Sequence, residues 1–355
     1  MIRRTKPAAT EESLYSQMKQ KSTRIQEKKE YAGNTAQMVS TGSTLLDLAI
    51  SGGRVRGGGV PGGIFVEAFG PSGSGKTVLL CELAGAVQRK GGDVMFHDPE
   101  ARLNKQFAQL FDLDTNEIDH STPDTVTEVF SSVRSWEPES TKKNAINGVF
   151  TDSLAALSTN LEMGKDEGDK MGMRRAKEFS EELRKTCRII TQKNLLMVCS
   201  NQVRVNADAG PYGQKYISPG GESIAFYSSL RLRFGRAQKI KQEKIVAGKK
   251  VSRVIGVETE VEVFKSSVWK PYRTAVLTIL FDYGIDDIRQ NLQFIKTHTK
   301  NTSYMVGDTK LDVSMDKAIR MVEKHNLISQ LKEEVIDLWE EVESKFESNR
   351  VKKER

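Results

Sequence analysis

This 355-residue chain has few of the residues that would cross-link or metallate a fold. Its three cysteines, Cys81, Cys187 and Cys199, are odd in number and far apart. That spacing argues against a disulfide framework or a cysteine zinc site and suits a reducing cytosol. The four histidines, His97, His120, His298 and His325, are equally scattered, which argues against a histidine metal cluster. No apolar run approaches the length of a membrane span. Met1-Ile2-Arg3-Arg4 leads into a polar segment without an apolar core, so no secretory signal is expected. A cytoplasmic protein is expected.

What is present suits a soluble globular protein: 37% hydrophobic and 28% charged residues, in a chain long enough for two domains or one large one with appendages. The formal net charge of +7 is compatible with nucleic acid but does not require it. Its distribution says more. Between Gly235 and Arg253 stand Arg236, Lys239, Lys241, Lys244, Lys249, Lys250 and Arg253, against one acid, Glu243. This segment reads either as a DNA-facing hairpin or loop, or as a solvated charged hairpin.

One stretch organises the rest. Gly70-Pro71-Ser72-Gly73-Ser74-Gly75-Lys76-Thr77 fits G-x-x-x-x-G-K-[ST] without a mismatch. Ile64–Phe69 before it is an apolar, β-branched and aromatic run, and Val78–Arg89 after it has helical periodicity. Strand, glycine loop and helix form the context of a phosphate-binding loop. The glycines let backbone N–H groups curl around a phosphate, and the helix N-terminus adds positive partial charge. Lys76 is expected to reach the β- and γ-phosphates of ATP, and the Thr77 hydroxyl to ligate Mg²⁺.

Downstream, strands and helices alternate. Asp93–Asp98, Ala145–Asp152 and Leu195–Ser200 read as strands and a helix is expected from about Lys105, which predicts a mostly parallel sheet covered by helices. Glu100, Asp152 and Gln202 fall at strand ends, where such sheets place catalytic groups. Asp152, read as one β–α unit downstream of Lys76, suits the Mg²⁺-side acid. Glu100 suits a catalytic base, or an N-cap of the next helix. From Leu230 the pattern alternates, and Leu230–Phe234, Glu258–Phe264 and Ala275–Phe281 read as antiparallel strands. Residues 1–32 look like an arm that is either disordered or ordered by packing on a neighbouring subunit, 33–286 like an ATPase core, and 287–355 like a small α-rich C-terminal domain with a basic tail.

Two polar, glycine-punctuated stretches follow strand ends. One runs from Glu162 to Gly172 and includes Met171. The other, from Val203 to Gly221, carries Arg204, Tyr212, Gly213, Lys215, Tyr216 and Gly220, the mixture of cations and aromatics that single-stranded nucleic acid binding uses.

At this point the chain resembles the RecA family of recombinases. The matching pieces are Ser40-Thr41-Gly42-Ser43, Gly70–Thr77, Phe96-His97-Asp98-Pro99-Glu100, Asp152–Leu157, Asn201-Gln202-Val203-Arg204, and Gly220-Gly221 followed by Phe226-Tyr227. The resemblance implies a RecA-type α/β phosphate-loop ATPase that forms a filament on single-stranded DNA and pairs it with homologous duplex. It implies Glu100 as catalytic carboxylate, Asp152 on the Mg²⁺ side, and Gln202 as relay from the γ-phosphate to the DNA loop. Asn104, Phe107 and Phe281 fall where the family meets adenine. Lys265 matches a lysine that reaches the neighbouring subunit's nucleotide, while Ser267 stands where the family has a second one. Glu260 and Glu262 replace basic residues for a second DNA strand, and the Gly235–Arg253 segment, with Lys249 and Lys250, is expected to substitute. These departures resemble a divergent member of the kind phages encode. Two other readings stay open: a hexameric helicase or translocase on the same core, and an ATP-switched DNA-binding accessory protein without strand exchange.

Overall fold

A computed structural model describes residues 37–139, 142, 145–159, 171–205, 216–217, 221–348 and 350. The arm at 1–32, the first polar stretch up to Lys170, Tyr212, Gly213, Lys215, Gly220 and the last five residues of the tail lie outside the described residues.

The described chain opens with β1 (Met38–Val39), α1 (Thr44–Ser51) and β2 (Val60–Pro61). The nucleotide-side elements follow: β3 (Ile64–Gly70), α2 (Lys76–Arg89), β4 (Val94–His97) and α3 (Lys105–Gln109). Next come β5 (Asp119–Ser121), α4 (Val126–Ser135), β6 (Asn147–Thr151), α5 (Met171–Gln192) and β7 (Leu195–Gln202). Short strands β8 (Arg204–Val205) and β9 (Tyr216–Ile217) lead to α6 (Gly221–Tyr227) and β10 (Leu230–Phe234). Then β11 (Gln238–Val246), β12 (Lys249–Ser266), β13 (Thr274–Leu280) and β14 (Gly284–Ile285) precede α7 (Asp287–His298). The C-terminal part holds β15 (Met305–Val306), β16 (Thr309–Lys310), α8 (Met315–Lys324) and α9 (Ile328–Ser344).

Among the described residues, ten strands form the central sheet in the order β14-β13-β12-β10-β3-β7-β6-β4-β5, with β11 added beside β12. The run from β10 to β5 is parallel. Every residue of β3 is buried, as a central strand covered on both faces requires. One face packs Leu46, Ile50, Leu79 and Leu83 from α1 and α2, and the other packs Val129, Phe130, Phe179, Leu183 and Ile224 from α4, α5 and α6. A third apolar cluster joins Leu48 to Leu292, Val322, Val335 and Trp339.

Two expectations need correction. β10 is not a purely antiparallel strand: it pairs parallel with β3 and antiparallel with β12. Its alternation reflects Leu230, Leu232 and Phe234 facing one core while Arg231 and Arg233 face away, so it reports which face is apolar and not the direction of pairing. Asp152 also lies further downstream of Lys76 than one β–α unit, because β5 and α4 intervene. The signal for α4 was available. Thr125 accepts from the Glu128 amide while the Glu128 carboxylate accepts from the Thr125 amide, a reciprocal cap before an apolar run.

Candidate functional site

The phosphate loop leaves the buried end of β3 and enters α2. Gly75 is at φ +95°, which favours glycine, and a Cβ there would stand 2.4 Å from Ile279 Cδ1 of β13, so the end of that side chain would have to move. Gly73, at φ +71°, has open space around it. Ser72 and Gly73 are exposed while Ser74 is buried, its hydroxyl donating to the Pro71 carbonyl at 2.8 Å. Lys76 is buried, and its Nζ donates to the carbonyls of Gly70 (3.1 Å) and Pro71 (2.7 Å). Burial holds its pKa below the ordinary lysine value, and the Asp152 and Glu100 carboxylates oppose that shift.

Thr77, in the first turn of α2, donates through Oγ1 to Asp152 Oδ2 at 2.6 Å. Ser200 of β7 donates to the other Asp152 oxygen. Asp152 follows β6, which lies beside β7 and one strand further from β3, so its carboxylate reaches back across the carboxyl ends to Thr77. Glu100 stands in a turn closed by the Ala101 amide on the Asp98 carbonyl at 2.9 Å. The Asp98 carboxylate accepts from the Leu103 amide at 2.7 Å. Glu100 accepts from Ser153 Oγ at 3.3 Å and pairs with Arg102 at 2.6 Å. Sequence reasoning missed Ser153, Ser200 and Arg102 in these roles. Ser200 carried a signal, as the first residue of the polar end Ser200-Asn201-Gln202 of an apolar strand; Arg102 carried none.

Gln202, the last residue of β7, is in register with Gly70, the first residue of the phosphate loop, and the Val203 amide donates to the Gly70 carbonyl at 3.4 Å. Lys76, Thr77, Glu100, Asp152 and Gln202 are therefore gathered at one end of the parallel sheet.

Other expected site residues have different surroundings. Asn104 N-caps α3, its side chain accepting from the Phe107 amide at 2.8 Å. Phe107 packs edge-on against Phe111 at 5.1 Å between ring centroids, and Phe281 is exposed after β13. Lys265 donates to the carbonyls of Ala225 (2.8 Å) and Phe226 (3.0 Å), at the C-terminal end of α6. Burial and then the Arg231 guanidinium hold its pKa below the ordinary lysine value. Met171 and Gly172 open α5, Arg204 pairs in backbone register with Ile217, Tyr216 pairs with Val205, and Gly221 opens α6.

The β11–β12 hairpin confirms that the basic segment is strand-like. It turns at Ala247-Gly248, both at positive φ, as two-residue hairpin turns require. Beyond Gly256, towards the turn, β12 pairs only with β11, so the hairpin projects as a two-stranded ribbon. Directly opposite residues share a face. Lys244, Lys249 and Arg253 lie on one face with Gln242, Val246 and Val251; Lys241 and Lys250 lie on the other with Glu243. Lys250 pairs with Glu243 at 2.6 Å. The adjacent lysines Lys249 and Lys250 thus point to opposite sides.

Among the described residues no group of three or more histidines, cysteines or carboxylates could hold a metal ion, and no helix is long and apolar enough to cross a membrane. A hydroxyl and one carboxylate, as at Thr77 and Asp152, are the hard oxygen donors that Mg²⁺ shares with nucleotide phosphates, so this set fits the ion.

Comparison with known proteins agrees with this geometry. The family model of the RecA N-terminal domain matches residues 16–286. The chain is 30% identical over 310 residues to Protein RecA of Acholeplasma laidlawii, covering 86% of this chain and 88% of that one. It is 34% identical over 249 residues to Protein RecA of Delftia acidovorans, covering 70% and 63% respectively. Protein RecA of Anaplasma marginale is 30% identical over 299 residues, covering 83% and 78%. The chain belongs to the RecA family, and it is a phosphate-loop, DNA-dependent ATPase of homologous recombination.

Proposed function

We propose that the protein assembles as a filament on single-stranded DNA in the cytoplasm, binds ATP with Mg²⁺, and pairs the bound strand with homologous duplex. The observation that carries this reading is the direct register of Gly70 with Gln202, because it joins the phosphate loop to the strand from which the 203–221 stretch departs. A change at the γ-phosphate is then felt at the root of the DNA loop.

In this reading the loop amides and Lys76 hold the β- and γ-phosphates. Lys76 Nζ exchanges its carbonyl partners for phosphate oxygens, a stronger, charge-assisted pairing. Thr77 and Asp152 hold Mg²⁺, which when bound neutralises charge on the phosphates. Glu100 takes a proton from a water whose oxygen bonds to the γ-phosphorus as the bond to the bridging oxygen breaks, so that inorganic phosphate forms and ADP departs with the bridging oxygen. Phe107 and Phe281 flank the adenine region, with Asn104 fixing the start of α3. Lys265 reaches the neighbouring subunit's nucleotide. Met171, Gly172, Arg204, Tyr212, Gly213, Lys215, Tyr216, Gly220 and Gly221 serve the single strand, and the ribbon serves the incoming duplex. A two-stranded ribbon is of the size a major groove admits. Residues 1–32 pack against a neighbouring subunit, and 287–355 form a small C-terminal domain that packs on α1.

Electron microscopy with single-stranded DNA and ATP, followed by a homologous-pairing assay, tests the reading. Helical filaments that pair duplex are expected. Closed rings that separate strands would replace it with a helicase, and filaments without pairing would replace it with an accessory DNA binder.

A further inference from the structure

The carboxylate of Glu67 lies in the middle of β3 with no exposure, in a strand otherwise free of charge. Its Oε2 accepts from Arg231 Nε at 2.6 Å, and its Oε1 accepts from Asn201 Nδ2 at 2.9 Å. The three residues sit on adjacent strands β10, β3 and β7. Arg231 is in turn in register with Lys265 of β12. Its guanidinium lies 4.3 Å from the ring centre of Phe69 and 5.5 Å from that of Phe264, so two aromatic rings flank it.

The position of this cluster in the chain gives it meaning. Asn201 immediately precedes Gln202 and the 203–220 stretch. Lys265, beside Arg231, donates to the last carbonyls of α6, the helix that follows that stretch. One end of the stretch therefore adjoins the cluster through Asn201, and α6, which follows its other end, is held by Lys265, the strand neighbour of Arg231. A buried ion pair is a poor source of net stability, because desolvation offsets most of its attraction. What it supplies is geometry: a guanidinium bonded through Nε to a buried carboxylate and flanked by two rings has fewer arrangements open to it than a free side chain.

We propose that the Glu67–Arg231 pair is a positioning clamp that holds the Gln202 end of β7 and the C-terminal end of α6 in one fixed relation, and that this relation couples nucleotide binding to DNA binding. The clamp rests on the reading of the 203–220 stretch as the DNA loop. Neither Glu67 nor Arg231 touches nucleotide in this scheme; both act through Gln202 and Lys265.

Two variants perturb the cluster from opposite sides. Arg231→Lys keeps the charge but removes the planar guanidinium with its Nε bond and its ring contacts, and Asn201→Ser shortens the link to β7. Each is measured for ATP affinity alone, for DNA-stimulated hydrolysis, and for single-stranded DNA affinity with and without a slowly hydrolysed ATP analogue. ATP affinity and KM are expected within about twofold of the unaltered protein, whereas kcat and the ATP-dependent gain in DNA affinity fall by roughly tenfold, within the usual range of such couplings. Hydrogen exchange of the Gly221–Tyr227 amides is expected to respond to the analogue in the unaltered protein and to lose that response in both variants. Should one variant fail to fold, the other decides. Unfolding of both, or losses matched by an equal loss of ATP affinity, would make the pair purely structural and overturn the clamp. Normal coupling in both would overturn the clamp alone; no coupling in the unaltered protein would overturn the DNA-loop reading with it.

Discussion

Lys76 and Lys249 are the same residue type in opposite circumstances. Lys76 is buried at the mouth of α2 and bonded to two loop carbonyls. Lys249 is exposed near the tip of the β11–β12 ribbon. A buried cation in one geometry stabilises charge at one place, and removing it removes a step of chemistry. An exposed cation on a ribbon acts through the number of phosphates it neutralises and is screened by salt. The two regions therefore answer mutation on different scales, and four measurements break or sharpen that contrast.

The largest effect is expected at the buried end. Glu100→Gln keeps the shape of the side chain but removes the base, so hydrolysis should fall about 10²–10⁴-fold while ATP still binds. Lys76→Ala should abolish turnover. ATP turnover by Lys76→Ala within twofold of the unaltered protein would dissolve the contrast, because the buried cation would then be no more critical than an exposed one.

A pH effect on stability comes next, from the same helix. Burial raises the pKa of Glu82, on α2, from 4.5 to about 7, against an opposing backbone bond from Ile285. The folded state then holds a proton that the unfolded state has lost, so this group lowers stability as pH rises from about 4.5 to about 7. Glu82→Gln should gain stability over the unaltered protein progressively through that window and hold the gain above it, with an upper bound of roughly 3 kcal/mol. Denaturant titrations at pH 4.5, 6 and 8 check this; a gain that does not grow with pH would show that Glu82 is not desolvated.

The ribbon should respond more gently. Replacing Lys244, Lys249 and Arg253 together by alanine should leave filaments on single-stranded DNA intact and lower the affinity of those filaments for duplex. The slope of log affinity against log salt should then flatten by roughly 0.9 for each duplex phosphate that is no longer neutralised. An unchanged slope would mark the ribbon as only a solvated hairpin. The smallest effect is expected for Lys250→Ala. That lysine is already paired with Glu243 on the opposite face, and exposed pairs contribute about 0–1 kcal/mol. Duplex affinity should stay within about twofold of the unaltered protein. A reduction equal to that of Lys249→Ala would show that the two faces are not distinct.

The buried end was largely legible in the sequence because its signals are local. Gly70–Thr77 declares its loop through eight consecutive residues, and β4, β6 and β7 declare themselves as apolar runs with a polar or acidic end. Ser43, in one of the pieces that match the family, N-caps α1. Within 110–144, β5 was hidden because it is three exposed polar residues long and has no period to detect, whereas α4 carried its signal in the Thr125–Glu128 cap. Pairing direction at β10 was illegible for a different reason: alternation is the same for a parallel and an antiparallel neighbour.

By itself, then, the order of residues determined the phosphate loop, the alternation of strands and helices behind it, and the excess of positive charge in one segment, because each is set within a few residues of the backbone. Only the tertiary structure decided which charges meet. Glu67 and Arg231 are 164 positions apart and become partners because β10 pairs beside β3. Lys249 and Lys250 are neighbours and become strangers because successive strand residues face opposite ways, and because the turn at Ala247-Gly248 sets Val246, not Ile245, opposite Lys249. Charge has no direction in a sequence; it acquires one from the register of the strand that carries it.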